Sequence, residues 1–124
     1  MPHLVLEVAN DGSRLTIAAA DRTSSPIVFD AVDLDAFMRR LAECRATMVP
    51  IHPAQPPSDP DRVYRNDNLL FDVTACASVP AVDVAMQHPG LGWTITRLSR
   101  EQAEDLQTAI DFALQDILKP ATAA

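Results

Sequence analysis

Two cysteines and three histidines are the side chains best suited to nucleophilic or metal chemistry, and their spacing keeps most of them apart. A thiolate nucleophile needs a base within hydrogen-bond reach. Cys76 falls at the closed end of a predicted hairpin whose open end carries His88, about eight residues and roughly 26 Å away at strand rise. Cys44 with His52 is less easily dismissed, because the end of a helix and the segment after it can fold back on each other, although free cysteine is also readily buried as a small core residue. His3, His52 and His88 are dispersed. No pair has the i, i+4 or Cys-x-x-Cys spacing that gathers ligands, so neither a metal nor a cofactor is expected. Three glycines, two of them in one turn, cannot build a phosphate-cradling loop. There is no Gly-x-Ser-x-Gly elbow. Lys119 is the single lysine, which leaves almost no room for a general-base or Schiff-base lysine.

The polar residues on predicted strands say more. Glu7, Asp30, Asp72 and Asp83 fall on the positions that alternate away from the apolar face, and Asp72 and Asp83 lie opposite or diagonal across one hairpin, where like charges are mildly destabilising. A solvated outer face explains them, and so does a cation or an Arg-bearing partner. That outer face is not wholly polar. Val5, Val28 and Leu70 are expected on it among Thr16, Thr74, Thr94 and Thr96, which makes it the leading interaction surface. A second candidate is the neighbourhood of Trp93, His88, Arg97 and Arg100, because Trp and Arg are favoured anchors at interfaces; Trp93 also reads as a core aromatic beside a turn.

The elements that must position these residues occur twice. Leu4 to Val8 alternates, Asn10-Asp11-Gly12-Ser13 turns the chain, and Arg14 to Ala20 returns with Leu15, Ile17 and Ala19 on the same face. A third strand, Ile27 to Ala31, runs into a helix with Leu34, Phe37, Met38, Leu41 and Met48 at helical spacing, Asp33 as its N-cap and Pro50 as its stop. In the second half Leu69, Phe71, Val73 and Ala75 face one way, and Val82, Val84 and Met86 return on that face. His88-Pro89-Gly90-Leu91 has the signature of a type II turn. Trp93 to Arg97 then leads into a helix capped by Ser99, with Gln102 at capping-box spacing and a stripe of Ala103, Leu106, Ile110, Ala113, Leu114 and Ile117. Lys119-Pro120 stops it, and Ala121 to Ala124 are expected to fray.

Between the halves lie prolines 50, 53, 56, 57 and 60, a segment expected to be extended and without regular structure. Val63-Tyr64-Arg65 can add a short edge strand. The expectation is therefore an α+β fold of two tandem βββα repeats, residues 3–49 and 67–119, joined by a Pro-rich linker over 50–66. The repeats share one core, with an antiparallel sheet and both helices on one face. Each half of about 50 residues is marginal alone, so residues 1–124 form a single domain.

Composition narrows the function. With 17 acidic against 10 basic residues the net charge is −7, and a scattered set of arginines is a poor phosphate-binding surface, so nucleic acid is not an expected partner. No stretch reaches membrane-spanning length and Met1-Pro2-His3-Leu4 lacks a leader's basic region, so no membrane and a cytoplasmic location are expected. The lack of a catalytic constellation points to a non-enzymatic protein-interaction module, a small accessory or regulatory subunit that forms a homodimer. The alternative is a small-molecule-binding protein or enzyme with a site between the repeats, drawing on Arg97, His88, Tyr64 or an acid.

Overall fold

A computed structural model of the chain describes residues 3–119. It is an α+β protein with two antiparallel three-stranded sheets and two helices, and no helix among the described residues is long and apolar enough to cross a membrane. The chain divides into two compact units, Met1–Val63 and Tyr64–Ala124. The fraying expected of Ala121 to Ala124 lies outside the described residues.

The first unit contains β1 (Leu4–Val8), β2 (Arg14–Ala19), β3 (Ile27–Asp30) and α1 (Ala31–Ala46). Gly12 makes the first turn possible with a backbone φ of 73°, a left-handed conformation that costs glycine nothing. Asp11 braces that turn: its carboxylate accepts from the Ser13 hydroxyl at 2.6 Å and amide at 3.0 Å, which holds it below the usual carboxylate range. Leu6 pairs with Ile17 and Ile17 with Ile27, while Leu15 pairs with both Val8 and Phe29, so the large apolar residues share one face. Phe29 stacks on Phe37 of α1 with ring centroids 5.0 Å apart, which fixes this as the helix-bearing face.

Both ends of α1 differ from the sequence expectation. Asp30, not Asp33, is the N-cap: it is extended, and its carboxylate accepts from the Asp33 amide at 2.8 Å. The third strand ends at Asp30, so the cap falls there. The helix stops at Ala46, before Met48 and Pro50, because Thr47 turns both its amide and its hydroxyl onto the Cys44 carbonyl. The segment from Thr47 to Asp59 has no helix or strand, but the linker expected to lack regular structure includes a single 3-10 turn, Pro60–Arg62, capped by Asp59, and the edge strand expected at Val63 to Arg65 does not form. Proline at its first position presets the backbone for that turn.

The second unit contains β4 (Leu70–Ala75), β5 (Ala81–His88), β6 (Gly92–Ser99) and α2 (Arg100–Leu118). The loop from β5 to β6 is not the type II turn expected of Pro89-Gly90, since Gly90 has no positive φ. Gly92 takes the left-handed conformation instead, with φ 77°. His88 pairs with Gly92 across a three-residue loop, and such loops commonly end in one left-handed residue. Ser99 starts α2 with the expected capping box: its hydroxyl accepts from the Gln102 amide at 3.1 Å and its amide donates to the Gln102 side chain at 3.0 Å.

Register assigns the faces. Phe71 pairs with Met86, Val73 with Val84 and Val82 with Leu98, and these residues lie under α2 with Ala103, Leu106 and Ile110. Thr94 and Thr96 pair with Met86 and Val84, so they are on the helix-bearing face and not, as expected, on the outer one. In each unit the helix packs over the second and third strands, α1 over β2 and β3 and α2 over β5 and β6. The inner side of the first strand stays open: Leu4, Leu6 and Val8 in one unit and Phe71 and Val73 in the other are exposed, and no described side chain is fully buried.

Substitution of Gly92 by alanine should cost about 1 kcal/mol, because an L side chain is strained at that φ. Gly90→Ala should cause no comparable loss, since the added Cβ meets only the His88 ring at 3.6 Å. Urea unfolding followed by circular dichroism separates the two, and equal losses would mean the loop has the type II form after all.

Candidate functional site

The outer face of the second sheet collects the residues of most interest. Reading across the strands, Leu70, Gln87 and Trp93 form one row, Asp72, Ala85 and Ile95 the next, and Thr74, Asp83 and Arg97 the third. Trp93 is 52% exposed, Ile95 70% and Leu70 53%. Beside this apolar pair of rows, Arg97 forks onto Asp83, with Nε 2.8 Å from one carboxylate oxygen and Nη2 3.1 Å from the other. The guanidinium hydrogen bond holds the Asp83 carboxyl below its ordinary value and raises Arg97 in return. The like-charge conflict expected between Asp72 and Asp83 is thereby relieved at Asp83: the two are diagonal, and only Asp72 has no cation of this sheet paired across from it.

The first unit has a smaller counterpart. Val5 pairs with Ala18, Glu7 and Val28 flank Thr16, and Arg14 pairs with Asp30, all on the face away from α1. Val5 and Val28 are thus outward, as their alternation implies, and each is about half exposed.

The second candidate grouping is not assembled. Trp93 and Arg97 share the outer face of β6, but His88 has the opposite parity at the end of β5, and Arg100 sits on α2 paired with Glu104 at 3.0 Å. His88 is instead tied to its own loop, its Nδ1 accepting from the Gly90 and Leu91 amides at 3.0 and 3.1 Å, which leaves the ring proton of the neutral form on Nε2. Tyr64 meets it edge to face with centroids 5.7 Å apart, and the Asn66 amide nearby donates to the Gln87 carbonyl at 2.7 Å. These contacts anchor the start of the second unit onto the end of β5.

On the inner side, between β4 and α2, lies a groove of about 370 Å³ lined by Leu69, Phe71, Val84, Met86, Leu106 and Ile110. Gln107 is the one polar side chain of its lining. A second depression of similar volume lies beside Cys76, with the Arg100 and Glu104 pair at its rim. Neither thiol shares a hydrogen bond with a histidine, and no cluster of three metal-ligating side chains occurs among the described residues.

Ile95 is the residue that sequence reasoning missed, together with the outward placement of Trp93. A signal was available. Asp83 lies five positions before His88 and Arg97 five after Gly92, so opposite charges sit at matched distances from one turn. Such a pair favours the same face, and that parity carries Trp93 and Ile95 outward with Arg97.

Comparison with known proteins finds no matching family model, no similar curated protein and no similar solved structure.

Arg97→Gln should let the Asp83 carboxyl return upward toward its ordinary value, as followed by carbon-detected NMR titration. The depressed carboxyl contributes stability above its unfolded-state pKa, a contribution lost as pH falls through the lower folded value. The pH dependence of unfolding below about pH 4 should therefore flatten in the variant. An unchanged Asp83 titration would mean that the ion pair does not persist in solution.

Proposed function

We propose that this chain is a non-enzymatic protein-interaction module, a small accessory or regulatory subunit that self-associates as a homodimer through the outer faces of its sheets. The observation that carries the reading is Leu70, with Trp93 and Ile95 in adjoining rows, half or more exposed on a sheet face that no helix of its own unit covers. Val5 and Val28 lie on the outer face of the first unit's sheet. Apolar residues gathered on one side of a sheet are favourable to bury and costly to leave in water, at roughly 25 cal/mol per Å². The net charge of −7 supports a protein partner over nucleic acid, and a cytoplasmic setting belongs to the same reading.

The fold proposed with this function is a tandem pair of βββα repeats forming one domain with a common core. Its support is that each unit has three strands followed by a helix, and that each leaves the inner side of its first strand uncovered. Apolar strand surface of that kind is normally closed by another layer of the fold.

Light scattering coupled to size exclusion at tens of micromolar should give the mass of a dimer. Leu70→Asp should weaken that association without loss of circular dichroism, because an outward position contributes little to the packing under α2. A wild-type monomer at these concentrations would end the self-association reading, and a variant that unfolds would mean Leu70 belongs to a core.

A further inference from the structure

We infer that the loop joining β5 to β6 is a pH-sensitive latch, closed while the His88 ring is neutral and released when its Nδ1 takes up a proton. The loop, residues 89–91, bridges His88 and its cross-strand partner Gly92, and the Gly90 and Leu91 amides both donate to His88 Nδ1, at 3.0 and 3.1 Å. A neutral imidazole nitrogen accepts through one lone pair, and a proton occupies it. Protonation therefore sets an N–H against two other N–H groups, so that two attractions become repulsions. The loop loses its brace in that state. The ring also lies against the Gly90 backbone, where an added Cβ would meet its Cε1 and Nδ1 at 3.6 Å, and Tyr64 packs on it edge to face. One ring thus holds both the loop and the start of the second unit.

The choice of side chain is what makes this brace switchable. Asp11 accepts from the Ser13 amide, Asp21 from Thr23, Asp59 from Asp61 and Asn66 from Asn68, each two residues on, at 3.0 or 3.1 Å. Short polar side chains commonly tie turns in this way. Their oxygens keep accepting through the neutral range, and the bonds from Ser13 and Thr23 hold Asp11 and Asp21 below the ordinary carboxylate range. His88 makes the same reach with a different group. A histidine ordinarily titrates at about pH 6.5, so its bonds are present above that range and lost as the pH falls through it.

No neighbouring charge takes over the role of the two amides. Against β5 pack β4, β6 and α2. At the His88 end β4 offers Leu70 opposite Gln87, and β6 offers Gly92 and Trp93; their charged groups, Asp72 and Arg97, stand farther along the sheet, Arg97 held by Asp83 of β5 itself. The later turns of α2 carry Asp111, Asp116 and Lys119, the last two paired at 2.9 Å, and the segment bearing Tyr64 carries Arg65 and Asp67. Among the described residues no ion pair includes His88. An imidazolium here gains no carboxylate to offset the lost bonds.

NMR of the unaltered chain between about pH 8 and about pH 5 tests the latch. The Gly90 and Leu91 amide protons should move upfield in step with titration of the His88 ring, and at the upper pH the ring nitrogens should report a bare Nδ1 and a protonated Nε2. His88→Asn keeps an acceptor the same number of bonds from the backbone and does not titrate, so in it both amides should stay still. Urea unfolding gives a second measure: on acidification the ratio of folded to unfolded chain should fall roughly fivefold further in the unaltered protein than in the variant, the loss of about one net hydrogen bond. His3 and His52 are common to both and cancel. Amides that ignore the titration, a neutral ring with its proton on Nδ1, or an equal acid response in the variant overturns the latch. If His88→Asn fails to fold, the titration of the unaltered chain decides alone.

Discussion

A helix about 10 Å across can cover two strands spaced 4.8 Å apart, and each sheet of this protein is three strands wide. In both units that mismatch falls on the first strand, because the helix follows directly from the third and folds back over the third and second. Leu4, Leu6 and Val8, and in the other unit Phe71 and Val73 at the open side of the groove beside α2, consequently remain exposed on the helix-bearing face. Hydrophobic burial is the main favourable term in folding, and the uncovered strip on each sheet forgoes part of it.

The outer faces add a second demand of the same kind. A one-sided antiparallel sheet normally shows polar residues to water, and the first sheet comes near that pattern with Glu7, Thr16, Arg14 and Asp30 around Val5 and Val28. The second sheet departs further, with Leu70, Trp93 and Ile95 outward and its charges largely cancelled within the Asp83 and Arg97 pair. That ion pair is exposed and contributes little to stability by itself. Its consequence is electrostatic: it removes the positive charge that an acidic partner would seek and leaves an apolar face on a strongly acidic chain.

Local signals decided most of what was legible. Asn10-Asp11-Gly12-Ser13 folds as a turn because Gly12 tolerates positive φ and Asp11 reaches forward to Ser13. Ser99 and Gln102 close their capping box because both partners lie within one helical turn. Where two local candidates competed, spacing alone misjudged the outcome. Asp33 yielded to Asp30 as the cap of α1, and Gly90 yielded to Gly92 as the left-handed residue of its loop. In each case the deciding factor was where the adjoining strand stopped pairing, which shifts a cap or a turn by a residue or two.

Strand alternation and the three-strand-then-helix order within each unit were determined by the sequence itself. They rest on side-chain type and near neighbours, and short-range chemistry does not depend on the rest of the fold. Which parity of β6 faces α2 was decided only in three dimensions. Trp93, Ile95 and Arg97 and the intervening Thr94 and Thr96 alternate equally well either way, and a shift of one residue exchanges the two faces completely. The long-range register of Asp83 with Arg97 and of Val82 with Leu98 resolved that ambiguity. It placed the single tryptophan, which the sequence left between an interface anchor and a core aromatic, on the exposed face.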